Sequence, residues 1–137
     1  MPFEYFEHEA DVGIVGIGKT LEEAFEEAAK AMFNVEVDIS RVECKEKVEV
    51  ECSADNVEEL FIEWLNSLLA EADMRNMVFS EFGITELSEH YLKGYACGEK
   101  LDAEKHKVKT EVKAATYSQL KIEEKDGLFY VKCVVDV

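Results

Sequence analysis

The spacing of apolar side chains along this 137-residue chain predicts several strands and two amphipathic helices. Alternating or short apolar runs, typical of strands, lie at residues 3–6, 12–18, 41–53, 78–87, 91–97, 108–122 and 128–137. Turn-forming residues at 125–127 join the last two runs as a hairpin. Helical spacing of apolar residues occupies two longer segments, residues 20–33 and 55–74.

Both predicted helices have a start signal. Thr20 and Glu23 form a capping box before the first helix, and Asp55 is the expected N-cap of the second. The second helix carries a wide apolar stripe, formed by Leu60, Phe61, Trp64, Leu65, Leu68 and Leu69. A stripe of this width covers a sheet, so we predict a single α+β domain over residues 1–137. In this domain two helices pack on a mainly antiparallel β-sheet.

The charge balance limits the partners that the protein can bind. Its 31 acidic and 15 basic residues give a net charge of −16, which repels phosphate backbones, so we expect no direct nucleic-acid binding. A basic protein partner is compatible with this charge, although an acidic surface also simply favours solubility. The sequence shows no signal peptide and no apolar run of the ~20 residues that a membrane span needs. We therefore expect a cytoplasmic protein without membrane contact.

The cysteines give no sign of a metal framework. Cys44, Cys52, Cys97 and Cys133 contain no C-x-x-C pair, so the sequence predicts no zinc site. Because nothing in the sequence indicates an oxidising compartment, we expect buried or half-buried free thiols.

Acidic residues follow strand-like runs near both ends of the chain. Asp11 lies after the first run, and Asp136 with the α-carboxylate of Val137 ends the last. If folding brings them together, their oxygens suit a hard divalent cation. Ca²⁺ accepts several oxygen ligands at ~2.3–2.6 Å, whereas Mg²⁺ demands stricter geometry. The simpler alternative is that each carboxylate is solvated or caps a turn.

Three more residues are candidates for chemistry, each with an ordinary alternative. His8 and His106 could act in acid–base catalysis, or could be plain surface histidines. Strand alternation over residues 111–118 places Lys113 on one face with Glu111, Ala115 and Tyr117. There Lys113 could pair with the carboxylates, compete with a cation, or belong to a salt-bridged surface strand. A metal-dependent hydrolase is a weaker hypothesis, because no nucleophile with an adjacent base is visible.

Four motifs together resemble the archease family over nearly the whole chain. They are H-E-A-D-V-G at 8–13, G-E at 98–99 with Asp102 and His106, E-V-K-A-A-T-Y-S at 111–118, and V-V-D-V at 134–137. The resemblance implies a non-catalytic activator of the GTP-dependent tRNA-splicing RNA ligase, which promotes ligase guanylylation and multiple turnover. It also implies a bound divalent metal, in the usual description Ca²⁺, with Asp11, Asp136 and Val137 as ligands.

The resemblance leaves other residues and one other function open. Lys113 matches the lysine of the family motif V-K-A-x-T-Y, and Asp38 matches an acidic position after the first helix. Glu9 stands where many relatives have threonine, and it adds a carboxylate near the predicted site. The alternative function is a chaperone-like binding protein for a tRNA-modifying methyltransferase, whose effect would survive loss of the metal ligands.

Overall fold

The computed structural model describes residues 2–8 and 10–137. Its elements are β1 (Phe3–His8), β2 (Asp11–Gly18), α1 (Leu21–Glu36), a 3-10 turn (Ile39–Arg41), β3 (Glu46–Ser53), α2 (Val57–Arg75), β4 (Met77–Leu87), β5 (Tyr91–Lys100), α3 (Ala103–His106), β6 (Ala114–Ala115), β7 (Lys121–Lys125) and β8 (Leu128–Asp136).

The strands form two antiparallel sheets with the long helices packed against both. The first sheet has the order β1-β2-β8-β6, with β7 also paired to β8, and the second has the order β3-β5-β4. Helix α1 contacts β2 and β8 of the first sheet and β4 of the second, and α2 contacts β3 and β6. The predicted α+β class is confirmed, with a short third helix in addition.

Close packing holds α1 and α2 in place. The Trp64 indole N–H of α2 donates to the Phe25 carbonyl of α1 at 3.1 Å, and both residues are fully buried. A Cβ added at Gly16 of β2 would collide with the Ala24 carbonyl of α1. Glycine at this position therefore lets the first helix lie directly on the sheet that carries both chain ends.

Helix starts and the last hairpin largely follow the sequence signals. The Thr20 hydroxyl accepts from the Glu23 N–H at 3.1 Å, which confirms the first cap. The second N-cap is Asn56, whose side chain accepts from the Glu59 N–H at 2.9 Å, so the assignment of Asp55 was wrong by one residue. Gly127, with φ of 79°, lies in the predicted turn between β7 and β8.

The prediction of one strand over residues 108–122 was wrong. Residues 107–113 are irregular, and only β6 and the start of β7 are extended. Side chains of the helices bind the backbone here: Glu36 accepts from the Val112 N–H at 3.0 Å, and Asn66 accepts from the Ala115 N–H at 2.8 Å. The predicted shared face is also wrong, since Ala115 is buried while Lys113 and Tyr117 are exposed.

The expectation of four free thiols was wrong for two of them. Cys44, in the loop before β3, forms a disulfide with Cys97 of β5. The α-carbons of the two cysteines are 5.0 Å apart, because the segment ahead of β3 already runs alongside β5. Cys52 and Cys133 are free, respectively half-buried and buried, as expected.

Candidate metal site

Strand register brings Asp11 and Asp136 to the same end of the first sheet. His8 pairs directly with Asp11 where β1 turns into β2, and Val12 pairs with Val135 of β8. Continuing this register by one residue sets Asp11 opposite Asp136. Cross-strand neighbours share a face with Cβ atoms about 5 Å apart, so the two carboxylates are side by side.

Contacts of the last residue bring the chain ends together. The Val137 N–H lies 3.4 Å from Asp11 Oδ1. On the other side of β8, the Lys113 N–H donates to the Asp136 carbonyl at 2.8 Å, and Ala114 pairs with Asp136. Folding therefore brings Asp11 and the final residue together, which is the condition for a shared cation site.

Asn66 holds the strand that flanks this site. Its side chain accepts from the Ala115 N–H at 2.8 Å and donates to the Ala115 carbonyl at 3.1 Å. Helix α2 thereby fixes β6, which in turn pairs with Asp136. The sequence offered no signal for this role, because an asparagine in a helix has many ordinary uses.

The donor set suits a hard divalent cation. Two carboxylate side chains and one α-carboxylate supply oxygens only, which is the ligand type that Ca²⁺ and Mg²⁺ prefer. Across residues 2–8 and 10–137, no group of three or more His, Cys, Asp and Glu side chains has metal-binding spacing. A metal held here would therefore depend on the α-carboxylate of Val137 or on a further donor.

His8 is the neighbour with an unexplained polar atom. Its Nδ1 is buried and has no hydrogen-bond partner among the described residues. Because His8 pairs with Asp11, this nitrogen belongs to the same end of the sheet as the two carboxylates. The expectation of an ordinary surface histidine does not explain this nitrogen.

His106 lies in a separate buried cluster, so it is not a surface histidine. Its Nδ1 accepts from the Asp102 N–H at 3.0 Å, which places the ring proton on Nε2, 3.0 Å from Glu99 Oε2. Hydrogen bonds from the Glu43 N–H, His106 and Lys105 hold the pKa of Glu99 far below its usual range. The G-E and D-x-x-x-H motifs thus anchor α3.

Three sequence candidates remain, Asp38, Lys113 and Glu9, and they lie in different parts of the chain. Asp38 caps the 3-10 turn: its carboxylate accepts from the Ser40 hydroxyl at 2.6 Å, which together with the Ser40 N–H lowers the pKa of Asp38. Its backbone N–H donates to the His106 carbonyl at 2.9 Å, so Asp38 supports α3. Lys113 is adjacent to Asp136 through its backbone and has an exposed side chain. Glu9 lies outside the described residues.

Comparisons with known proteins identify the family of this chain. A family model, the Archease protein family (MTH1598/TM1083), matches residues 3–137. The archease of Sulfolobus acidocaldarius is 43% identical over 136 residues, and that of Pyrococcus abyssi is 45% identical over 139, with 98% of each chain covered. The chain belongs to the archease family.

Solved structures show that the archease fold is shared. The solution structure of Methanobacterium thermoautotrophicum protein 1598 has a TM-score of 0.84 and 38% identity, covering 99% of both chains. The crystal structure of a Thermotoga maritima archease has a TM-score of 0.64 at 22% identity, covering 96% of this chain and 94% of that one. At such low identity the second comparison shows the fold alone.

The helices of this archease were compared with the requirements for crossing a membrane. None of those in the described residues has both the length and the apolar character that a membrane crossing needs.

Proposed function

We propose that this archease activates a GTP-dependent tRNA-splicing RNA ligase in the cytoplasm, through a divalent cation held by Asp11, Asp136 and the α-carboxylate of Val137. The observation that carries the proposal is the 3.4 Å contact between the Val137 N–H and Asp11 Oδ1, which joins the two ends of the chain. The metal, with Ca²⁺ as the first expectation, supplies charge neutralisation at the ligase nucleotide.

Paired strands and a helix side chain position the proposed ligands. Asp11 and Asp136 come from paired strands, and β6 and Asn66 support β8 from the other side. The net charge of −16 favours encounter with a basic ligase groove, because complementary charge steers association. We therefore place the carboxylate end of the first sheet against the ligase and expect no direct RNA binding.

A non-catalytic role agrees with the reactive groups that the structure describes. Burial raises the pKa of Cys52 to about 11 and that of Cys133 to about 12, which disfavours the nucleophilic thiolate. His106 is fully buried and holds Glu99 and Asp102, so it does not face a substrate. These features favour an activator that forms no covalent intermediate of its own.

Charge-removing variants test the proposal. Asp11→Asn and Asp136→Asn keep side-chain size but remove ligand charge, so multiple-turnover ligation should fall by about tenfold or more. Asp126→Asn, in the exposed turn before β8, is the matched control and should keep wild-type activity. Full turnover by both site variants, with unchanged circular dichroism, contradicts the proposal.

A C-terminal extension tests the α-carboxylate separately. Two residues added after Val137 leave every side chain in place but move the terminal charge by about 7 Å. We expect the ligation stimulus and Ca²⁺ affinity measured by calorimetry to fall together, whereas the same two residues added before Met1 should change neither. An extended protein with wild-type affinity would remove Val137 from the ligand set.

The second candidate is chaperone-like binding, since the Thermotoga maritima relative is described as a possible chaperone. Exposed apolar side chains favour it: Met74, Val108 and Tyr117 are exposed by 72%, 53% and 58%. A chelator separates the two functions, because ligase activation should stop while suppression of methyltransferase aggregation should continue. Single exposed apolar residues are common, however, so the carboxylate site has the greater weight.

A further inference from the structure

The two edges of the second sheet differ in what covers them. β5 is the middle strand, so β3 and β4 are the outer ones. The β4 edge is covered, because the Ile84 N–H donates to the Glu26 carboxylate of α1 at 2.9 Å and the Ser80 hydroxyl donates to the Val42 carbonyl at 3.0 Å. Within residues 2–8 and 10–137 the backbone of β3 is hydrogen-bonded to β5 alone. An edge of this kind presents unpaired N–H and C=O groups to a further strand.

A groove of about 200 Å³ lies beside the free edge of β3. It is lined by three residues of β3 and three of α2, namely Glu49, Val50, Glu51, Ser67, Ala70 and Glu71. Serine and alanine have short side chains, so α2 leaves room here for the side chain of an added strand. Glu63, one turn before Ser67, also lies on this side of α2, because burial and then the Glu63 charge raise the pKa of the Cys52 thiol of β3.

Charge determines which kind of chain fits this groove. Glu49 and Glu51 are exposed, and the one lysine of β3, Lys47, lies over the Tyr95 ring of β5, 4.4 Å from its centroid. A second copy of the chain, paired edge to edge, would bring its own glutamates against these, and like charges on paired strands are destabilising. Two chains of net charge −16 also repel each other. A basic strand would form favourable cross-strand pairs instead.

We propose that the free edge of β3 binds an extended segment of a partner protein that carries lysine or arginine side chains, by strand addition. Backbone hydrogen bonds to β3 supply the affinity, and Glu49 and Glu51 select basic side chains. This surface belongs to the second sheet, whereas Asp11 and Asp136 belong to the first. The proposal therefore does not depend on a metal at the carboxylates.

A probe peptide tests the proposal on the full-length protein. The probe is about nine residues long, the length of a β-strand, and alternates lysine with threonine. Calorimetry at low ionic strength, where charge pairing is little screened, measures its affinity. One control peptide carries an N-methyl group on every backbone nitrogen, so it keeps all charges but donates no backbone hydrogen bond. A second control replaces each lysine with glutamate.

We expect the lysine probe to bind and the glutamate peptide not to bind. N-methylation should weaken binding by about tenfold or more, because several hydrogen bonds are lost. Hydrogen exchange measured by NMR should become slower at alternate amides of Glu46–Ser53 when the probe is bound, and should stay unchanged in β4.

Charge variants of the chain test the selection of basic side chains. Glu49→Gln/Glu51→Gln should weaken probe binding by about fivefold. Glu71 is left unchanged, because its carboxylate is already paired with Arg75 at 2.9 Å. Glu81→Gln, at an exposed position of β4, is the matched control and should bind like the wild type. Circular dichroism checks that the variants remain folded.

Three results would overturn the proposal. If the N-methylated peptide binds as tightly as the probe, or the β3 amides stay unprotected, charge alone accounts for binding. If the β3 amides become protected as protein concentration rises without any probe, and ultracentrifugation shows a dimer, the occupant is a second copy of the chain. If the probe shows no binding at about 1 mM, the edge of β3 does not accept a basic strand.

Discussion

Glu36, the last residue of α1, is a carboxylate whose ionisation opposes folding. Burial raises its pKa to about 7, with Asp73 and Glu111 adding to the shift, although the Val112 N–H bonded to it acts in the opposite direction. A carboxyl whose pKa is higher in the folded than in the unfolded state stabilises the fold at low pH. This contribution is fully present below the unfolded value of about 4.5 and is lost as the pH rises through 7.

Glu36→Gln should therefore stabilise the protein at alkaline pH. Glutamine still accepts from the Val112 N–H but carries no charge, so at pH 8 the variant should unfold with a free energy about 2–3 kcal/mol higher than the wild type. The difference should shrink towards pH 5. Urea denaturation at both pH values measures this, with Glu89→Gln at an exposed turn as the control. An equal difference at pH 5 and pH 8 contradicts a titrating Glu36.

At the scale of elements, sequence patterns predicted those parts that local chemistry determines. The N-cap at Thr20 and the turn at Gly127 depend on neighbouring residues, and both are confirmed. The prediction of a strand over residues 108–122 was wrong because Glu36 and Asn66, which are distant along the chain, bind the backbone of this segment. The pairing of Cys44 with Cys97 likewise depends on strand register, which spacing does not reveal.

In the candidate site too, local sequence indicated some features, whereas others depend on residues distant along the chain. Asp11 and Asp136 were candidates because they follow apolar strand-like runs near both ends of the chain, and the family motifs supported the choice. Their closeness follows from the pairing of β2 with β8, a contact between opposite ends of the chain. The support from Asn66 had no local signal at all. Residue types at a site are thus readable from sequence, whereas their supports come from tertiary structure.

Asn66→Ala tests whether β6 positions Asp136. The change removes both hydrogen bonds to Ala115 and leaves its backbone groups unpaired, so β6 should loosen from α2. We expect cation affinity to fall by roughly tenfold while the global fold remains. Calorimetry with Ca²⁺ measures the affinity, and Ser67→Ala, one residue further along α2, is the control. If the cation affinity of Asn66→Ala equals that of the wild type, the hydrogen bonds from Asn66 to β6 are not needed to position Asp136.

At the scale of the whole molecule, the disulfide stabilises the fold at a distance from the carboxylates. It closes a loop between residues 53 positions apart and lies beside the Glu99 cluster, whereas the candidate metal site is built on the first sheet. A crosslink over such a loop restricts the unfolded chain, which is worth about 4 kcal/mol in the loop-closure model. Stability and metal binding should therefore respond differently to reduction.

Reduction should lower the melting temperature of the wild type by roughly 14 °C, because the unfolded chain regains conformational freedom. A Cys44→Ser/Cys97→Ser variant should melt at the lower temperature with or without reductant, whereas Cys52→Ser should remain sensitive to it. Cation affinity below the melting transition should stay the same in all of them, because none of the proposed ligands, Asp11, Asp136 and Val137, lies in the second sheet. A wild-type melting temperature that is the same with and without reductant would mean that the crosslink adds no stability. A parallel loss of cation affinity would instead show that the second sheet and the carboxylate end of the first sheet respond as one cooperative unit.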